Sequence, residues 1–211
     1  MSSNGAGGPT ALNSIVQYVL QIASSVGPAE ERKQAGVQSS RVQRRQLLAK
    51  MDLRLTDGER EALIQGTLEP TRAVRAVRKW VPTSIPMLIL CGSVGTGKTV
   101  AIAEAGLCLG GGLCLSPSRL YRETKREDST AAIRSHFVAL DDLGVEHLNG
   151  PWMEAFQDWL DMRRVLGRTL LTTNLNPRAL QIRYGDRVWD RLRSDGVFVE
   201  LSGTSMRKNA V

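Results

Sequence analysis

Histidine and cysteine are scarce in this chain, and that scarcity bounds its chemistry first. There are two histidines, His136 and His147, and three cysteines, Cys91, Cys108 and Cys114. None stands in a C-x-x-C pair or at metal-ligand spacing, which argues against a zinc site and a disulfide framework. Each cysteine lies in an apolar stretch and reads as a reduced core thiol. Runs of about 18 apolar residues are also missing, so no membrane span is expected. The start, Met1 to Gly8, lacks the basic-then-apolar layout of a secretory signal and reads as a tail over residues 1–9. Together these absences point to an intracellular, cytoplasmic protein. There is no internal repeat, and no low-complexity segment beyond the first eight residues.

What the chain does have is positive charge. Its 211 residues carry 28 Lys and Arg against 21 Asp and Glu, a net charge of +7, which favours an anionic partner. The excess is uneven: residues 1–80 hold 12 basic against 7 acidic side chains, and residues 81–211 hold 16 against 14. Length suits one domain with a sizeable appendage.

The most informative stretch is Ile85 to Thr99. An apolar run of strand type ends at Gly92, and Gly92-Ser93-Val94-Gly95-Thr96-Gly97-Lys98-Thr99 fits G-x-x-x-x-G-K-[ST] without a mismatch. Glycines at 92, 95 and 97 let successive backbone N–H groups converge on phosphate oxygens. Lys98 supplies a cation for the β- and γ-phosphates, and the Thr99 hydroxyl a ligand for Mg²⁺. Val100 to Ala105 continues as a helix whose positive dipole end faces the anion. Strand, loop and helix together mark a nucleoside-triphosphate site.

Before this motif, Leu12, Ile15, Val16, Val19, Leu20 and Ala23 form a helical apolar stripe over residues 10–23, suited either to packing on the same chain or to docking on a partner. Residues 29–50 are polar and basic, with a helix expected from about 40 to 51. Thr56 and Glu59 have the spacing of a capping box ahead of a helix burying Leu63, Ile64 and Leu68. Arg72, Arg75, Arg78 and Lys79 give the next helix a cationic edge, read either as a solvated face or as a phosphate contact. Val81-Pro82-Thr83-Ser84 then separates a helical, basic region, 10–80, from a nucleotide domain, 81–211. From residue 85 strands (85–91, 113–116, 136–141, 168–173, 197–201) alternate with helices (98–109, 118–127, 151–165, 177–183, 186–194). That alternation predicts a parallel five-stranded sheet covered on both faces, with its ligand at the strands' C-terminal ends.

Two further positions suit that ligand. The buried strand His136 to Leu140 ends in Asp141 and Asp142, where P-loop enzymes place a Mg²⁺-organising carboxylate and a group that polarises the attacking water. The neighbouring strand ends in Asn174, within reach of both γ-phosphate and water. Arg187 and Arg191 lie one helical turn apart on one face, far along the chain from the P-loop. They are open to two readings: ion pairs with Asp186 and Asp190, or arginines lent to a neighbouring subunit's phosphate.

These residues resemble the AAA+ ATPases of the DnaC/IstB type, a group of helicase loaders and transposition ATPases. The resemblance covers about residues 80–211. It rests on Gly92–Thr99 as Walker A, Leu140-Asp141-Asp142-Leu143-Gly144 as Walker B, Leu171-Thr172-Thr173-Asn174 as sensor 1, and Arg187-Val188-Trp189-Asp190-Arg191-Leu192 as box VII. Ser202 to Arg207 is similar to the group's C-terminal segment. The resemblance implies ATP and Mg²⁺ as cofactors, with Thr99 and Asp141 on the metal, Asp142 as catalytic acid and Asn174 as sensor. It makes Arg191 an arginine finger acting in trans within a homo-oligomer, supported by Arg187. With the chain ending at Val211, no C-terminal lid domain is expected, and with it a low intrinsic rate of hydrolysis.

The function expected is an oligomeric ATP-driven assembly switch on DNA, single-stranded DNA favoured, in the manner of a DnaC-like replicative helicase loader. Arg119, Arg122, Lys125 and Arg126 would line the DNA, and residues 10–23 would hook the helicase. The alternative is an IstB-like transposition ATPase that coats duplex DNA and recruits a transposase. A small-molecule kinase would need an arginine-bearing lid, which the sequence lacks. A non-hydrolysing adaptor would be indifferent to Asp142→Asn.

Overall fold

The structure is a computed structural model that describes residues 29–125 and 134–202, with side chains from residue 37 onward. The expected tail 1–9, the expected helix 10–23, Arg126 and residues 203–207 lie outside the described residues. The chain divides into two units, Met1–Val42 and Gln43–Val211. In the first, the described residues are helical from Ala29; they open α1 (Ala29–Lys50). This helix starts about 11 residues before the expected position. The segment Ala-Glu-Glu-Arg-Lys-Gln-Ala has high helix propensity although it has no apolar periodicity to announce it.

The second unit carries α2 (Asp57–Gln65), α3 (Arg72–Trp80), β1 (Met87–Gly92), α4 (Lys98–Cys108), β2 (Leu113–Leu115), α5 (Pro117–Thr124) and β3 (Phe137–Leu143). It continues with α6 (Gly150–Leu166), β4 (Arg168–Thr173), α7 (Pro177–Asp195) and β5 (Gly196–Leu201). Capping marks several helix starts. Thr56 and Glu59 form the expected capping box, and Thr71, Ser116, Asn149 and Asn176 each cap a helix with a side-chain oxygen.

The five strands form one parallel sheet in the order β2-β3-β4-β1-β5. Successive side chains of a strand face opposite sides, and β1 shows the consequence. Leu88 and Leu90 join one buried cluster with α2, α3 and α4. Met87, Ile89 and Cys91 join another with Trp152, Phe156 and Trp159 of α6 and Val188 and Leu192 of α7. Both faces are therefore covered, as short strands with largely apolar centres require.

The expected division after residue 80 does not coincide with a break in packing. Leu63 and Ile64 of α2 and Ala73, Val74, Val77 and Trp80 of α3 are buried in the same cluster as β1 and α4. Two arginines lock the N-terminal ends of the strands. Buried Arg163 donates to the carbonyls of Ser135 and Arg168, at 2.6 Å each, and to the Thr169 hydroxyl; burial pushes its pKa down to about 10. Arg168 lies 4.1 Å over the Trp80 ring and donates to the carbonyls of Trp80 and Thr83. The linker between α3 and β1 is thereby fastened beneath the sheet.

Candidate functional site

At the C-terminal end of β1 the chain turns through residues 93–97 into α4. Gly95 and Gly97 have φ of 84° and 83°, the left-handed region that side-chain-bearing residues avoid. Gly97 is the N-cap of α4 and offers no side-chain cap, so the first-turn N–H groups are left for an external acceptor. Gly92 is needed for a different reason: a Cβ there would lie 2.7 Å from the Leu201 carbonyl oxygen of β5.

Lys98 is buried, and its Nζ donates to the carbonyls of Gly92 (2.6 Å) and Ser93 (2.9 Å) and to Asn174 Oδ1 (2.8 Å). Burial lowers its pKa, while the charges of Asp142 and Asp141 oppose that shift. Asn174 follows β4, which lies between β1 and β3, so the strand order brings it to the P-loop lysine.

The two acids are set apart by a β-bulge. The register runs Leu140↔Leu171 and then Leu143↔Thr173, so three steps on β3 oppose two on β4. The extra residue turns the chain. Asp141 stays inside, where its Oδ2 accepts a 3.4 Å hydrogen bond from the Thr99 hydroxyl and its Oδ1 accepts one from Thr172. Asp142 takes φ of 59° and is exposed, its backbone N–H held by the Thr172 hydroxyl at 2.9 Å. Thr172 thus contacts both acids at once. Burial raises the Asp141 pKa; the Thr172 hydrogen bond acts against this, and Asp142 adds to it.

Among the described residues no cluster of three or more His, Cys, Asp or Glu could hold a metal. Mg²⁺ does not need one, since it is commonly held by one or two protein oxygens, phosphates and water. The hard-oxygen pair Thr99 and Asp141 fits that requirement. A cleft of about 150 Å³ opens beside Gly92, Asn174, Glu200 and Ser202. Cys91 also borders it, as a thiol that burial pushes up to about 12.

The fold therefore gathers Gly92–Thr99, Asp141, Asp142 and Asn174. It places Arg187 and Arg191 elsewhere. Arg191 makes a two-point ion pair with Asp161 of α6: Nε donates to Oδ1, and Nη2 to Oδ2 at 2.7 Å. Of the neighbours considered from the sequence, Asp186 instead accepts from Gln181 at 3.0 Å. The expected cationic edge of α3 is also reduced, because Arg78 pairs at 2.7 Å with Glu104, a buried acid of α4.

Sequence reasoning assigned no role to Thr172, Asp161 or Glu146. Glu146 is buried; it accepts from the Gly144 N–H (2.9 Å) and the Tyr184 hydroxyl and pairs with Arg183 at 3.6 Å. It ties the loop after β3 to the first half of α7. Burial and this carboxylate both raise the Tyr184 pKa.

No family model matches this chain, and no curated protein matches it by sequence. Solved structures do resemble it. The DnaC helicase loader superposes with a TM-score of 0.56 at 22% identity, over 64% of this chain and 94% of that one. DnaI gives 0.52 at 23% identity, over 76% and 92%. The replication initiator DnaA bound to AMPPCP and single-stranded DNA gives 0.51 at 19% identity, over 71% and 48%. The parallel sheet, its strand order and the P-loop motif at the end of β1 thus make up a fold that this chain shares with the DnaC helicase loader and DnaI.

Proposed function

We propose that this protein binds and hydrolyses ATP with Mg²⁺ and uses the cycle as an oligomeric assembly switch on DNA, most nearly as a replicative helicase loader. The observation that carries the reading is the convergence of the Lys98 ammonium, the Asn174 amide and the Thr99–Asp141 oxygen pair at one end of the sheet. The likeness in fold to the DnaC helicase loader favours loading over transposition.

In this reading the N–H groups of residues 93–99 and Lys98 hold the β- and γ-phosphates. Thr99 and Asp141 would hold Mg²⁺, which would offset negative charge on the phosphates. The Asp142 carboxylate, turned out by the bulge, orients a water and accepts its proton. Asn174 exchanges its bond with Lys98 for one with the γ-phosphate or that water. Arg191, with Arg187 beside it, acts on the triphosphate of an adjacent copy. Exposed Arg122 of α5 and Lys125 just after it, with half-buried Arg119, which pairs with Asp52 at 3.6 Å, contact the DNA backbone.

The test is ATP hydrolysis with Mg²⁺ at increasing protein concentration, alongside binding of single- and double-stranded DNA at one salt concentration. Activity per chain that rises with concentration, tighter binding to single strands in ATP, and capture of a replicative helicase are the expected results. Full activity in a strict monomer would refute the shared site. Preference for duplex DNA and capture of a transposase would move the protein to the transposition class.

A further inference from the structure

Asp161 projects from α6 onto the second half of α7, where its two oxygens accept from Nε and Nη2 of Arg191. A third donor, Nη1, reaches the Arg187 carbonyl oxygen at 3.3 Å. A guanidinium has five N–H donors in a fixed plane. Three are engaged here, one each on Nε, Nη1 and Nη2. Two are left over, one on each terminal nitrogen, the nitrogens whose facing hydrogens make the end-on fork that suits phosphate oxygens. The pair with Asp161 and a bond to phosphate therefore use different edges of the same group.

From this geometry we propose that Asp161 is a positioning residue: it grips the side-on edge of Arg191 so that the end-on fork faces the triphosphate of an adjacent copy of this chain. The inference rests on the reading of Arg191 as a donor in trans. The Arg191 side chain is only 24% exposed, so its head is seated against the surface. Without Asp161 an arginine at a helix surface would sample several rotamers, and a reacting group misplaced by an ångström loses most of its effect. Arg191 holds the Asp161 carboxyl below the usual carboxylate range, with Arg187 and Arg164 adding to the effect; the grip therefore persists across neutral pH.

A purely structural role for the pair is the competing explanation. Helices α6 and α7 are joined by buried Trp152, Phe156, Tyr184, Val188 and Leu192. Arg164 and Asp195 form a second tie at 3.3 Å. An exposed ion pair adds little to such a contact, so altering Asp161 should leave the fold intact.

The experiment measures kcat and KM for MgATP with the full chain, at protein concentrations where activity per chain has levelled off. Arg191→Ala should lower kcat by about a thousandfold. Asp161→Asn should lower kcat by about tenfold, with KM within about twofold of the parent. The double variant should match Arg191→Ala alone, because Asp161 acts only through Arg191. Thermal midpoints of parent and Asp161→Asn should agree within a few degrees. A parental or higher kcat in Asp161→Asn would overturn the proposal. So would a further fall when Asp161→Asn is added to Arg191→Ala, since Asp161 would then act by another route. A parental kcat in Arg191→Ala would instead remove the trans-donor reading, and this inference with it.

Discussion

At the scale of single residues, the acid pair separates two demands that the sequence presents side by side. Asp142 occupies left-handed backbone, which Asn tolerates and Ala does not. Asp142→Asn is therefore expected to abolish hydrolysis while keeping parental stability in urea. Asp142→Ala should lose the same activity and about 1 kcal/mol of stability besides. Asp141 has the opposite problem. Burial raises its pKa in the folded state, so the folded chain binds more protons than the unfolded one between the ordinary carboxylate value and the raised one. Stability contributed at this position is then lost as pH climbs through that window. Asp141→Asn should accordingly raise the urea midpoint of the nucleotide-free protein at neutral pH. The gain should shrink as pH falls from the raised value to the ordinary carboxylate value and be gone below it, and metal-dependent hydrolysis should be lost throughout.

At the scale of elements, most of the sheet was legible because each strand is a short apolar run bounded by glycine, proline or a polar turn. The Walker motifs fixed the two strand ends that matter. Asn174 was legible as well, since a strand following the acid strand was expected beside it. The residues that escaped notice share a cause. Glu146 in a loop and Asp161 on a helix surface look like ordinary solvated acids until the fold supplies Tyr184 and Arg191 across distances of 38 and 30 positions. Thr172 stood in the sensor 1 stretch without a role of its own, and only the register with β3 sets its hydroxyl between the Asp141 carboxylate and the Asp142 backbone N–H. The joint built on Glu146 can be tested directly. Tyr184→Phe removes the hydroxyl donor from a buried carboxylate and should cost about 1–3 kcal/mol in chemical denaturation. A loss within error would mean that Arg183 and the Gly144 N–H already satisfy that acid.

At the scale of the whole molecule, the groups that would complete hydrolysis are divided between two surfaces. The P-loop, both acids and Asn174 stand at the sheet's C-terminal end, while Arg191 is committed to Asp161 on the α6–α7 side. If two copies share each site, Lys98→Ala and Arg191→Ala should each be inactive alone yet partly active when mixed. A mixed assembly would then contain junctions with an intact P-loop on one side and an intact arginine on the other. Mixtures no better than the sum of the separate variants would refute this division. The region before residue 80 was legible only in part at this scale. Its capping box and its helix 72–80 were correctly read, but nothing in a local pattern announces that they pack beneath the sheet. Burial against β1 is a long-range fact, decided by Leu88 and Leu90 as much as by α3 itself.

Gly185 interrupts α7 with φ of 75° and ψ of 170°. The helix is therefore not one unbroken rod from residue 177 to Arg191. Val188 and Leu192 are two aliphatic pegs that sink its second half in the core. Both halves of this helix are seated in one core, Leu180 and Tyr184 before the glycine and Val188 and Leu192 after it, so the loop behind the acids and the guanidinium stand on a shared footing with the helix axis redirected between them.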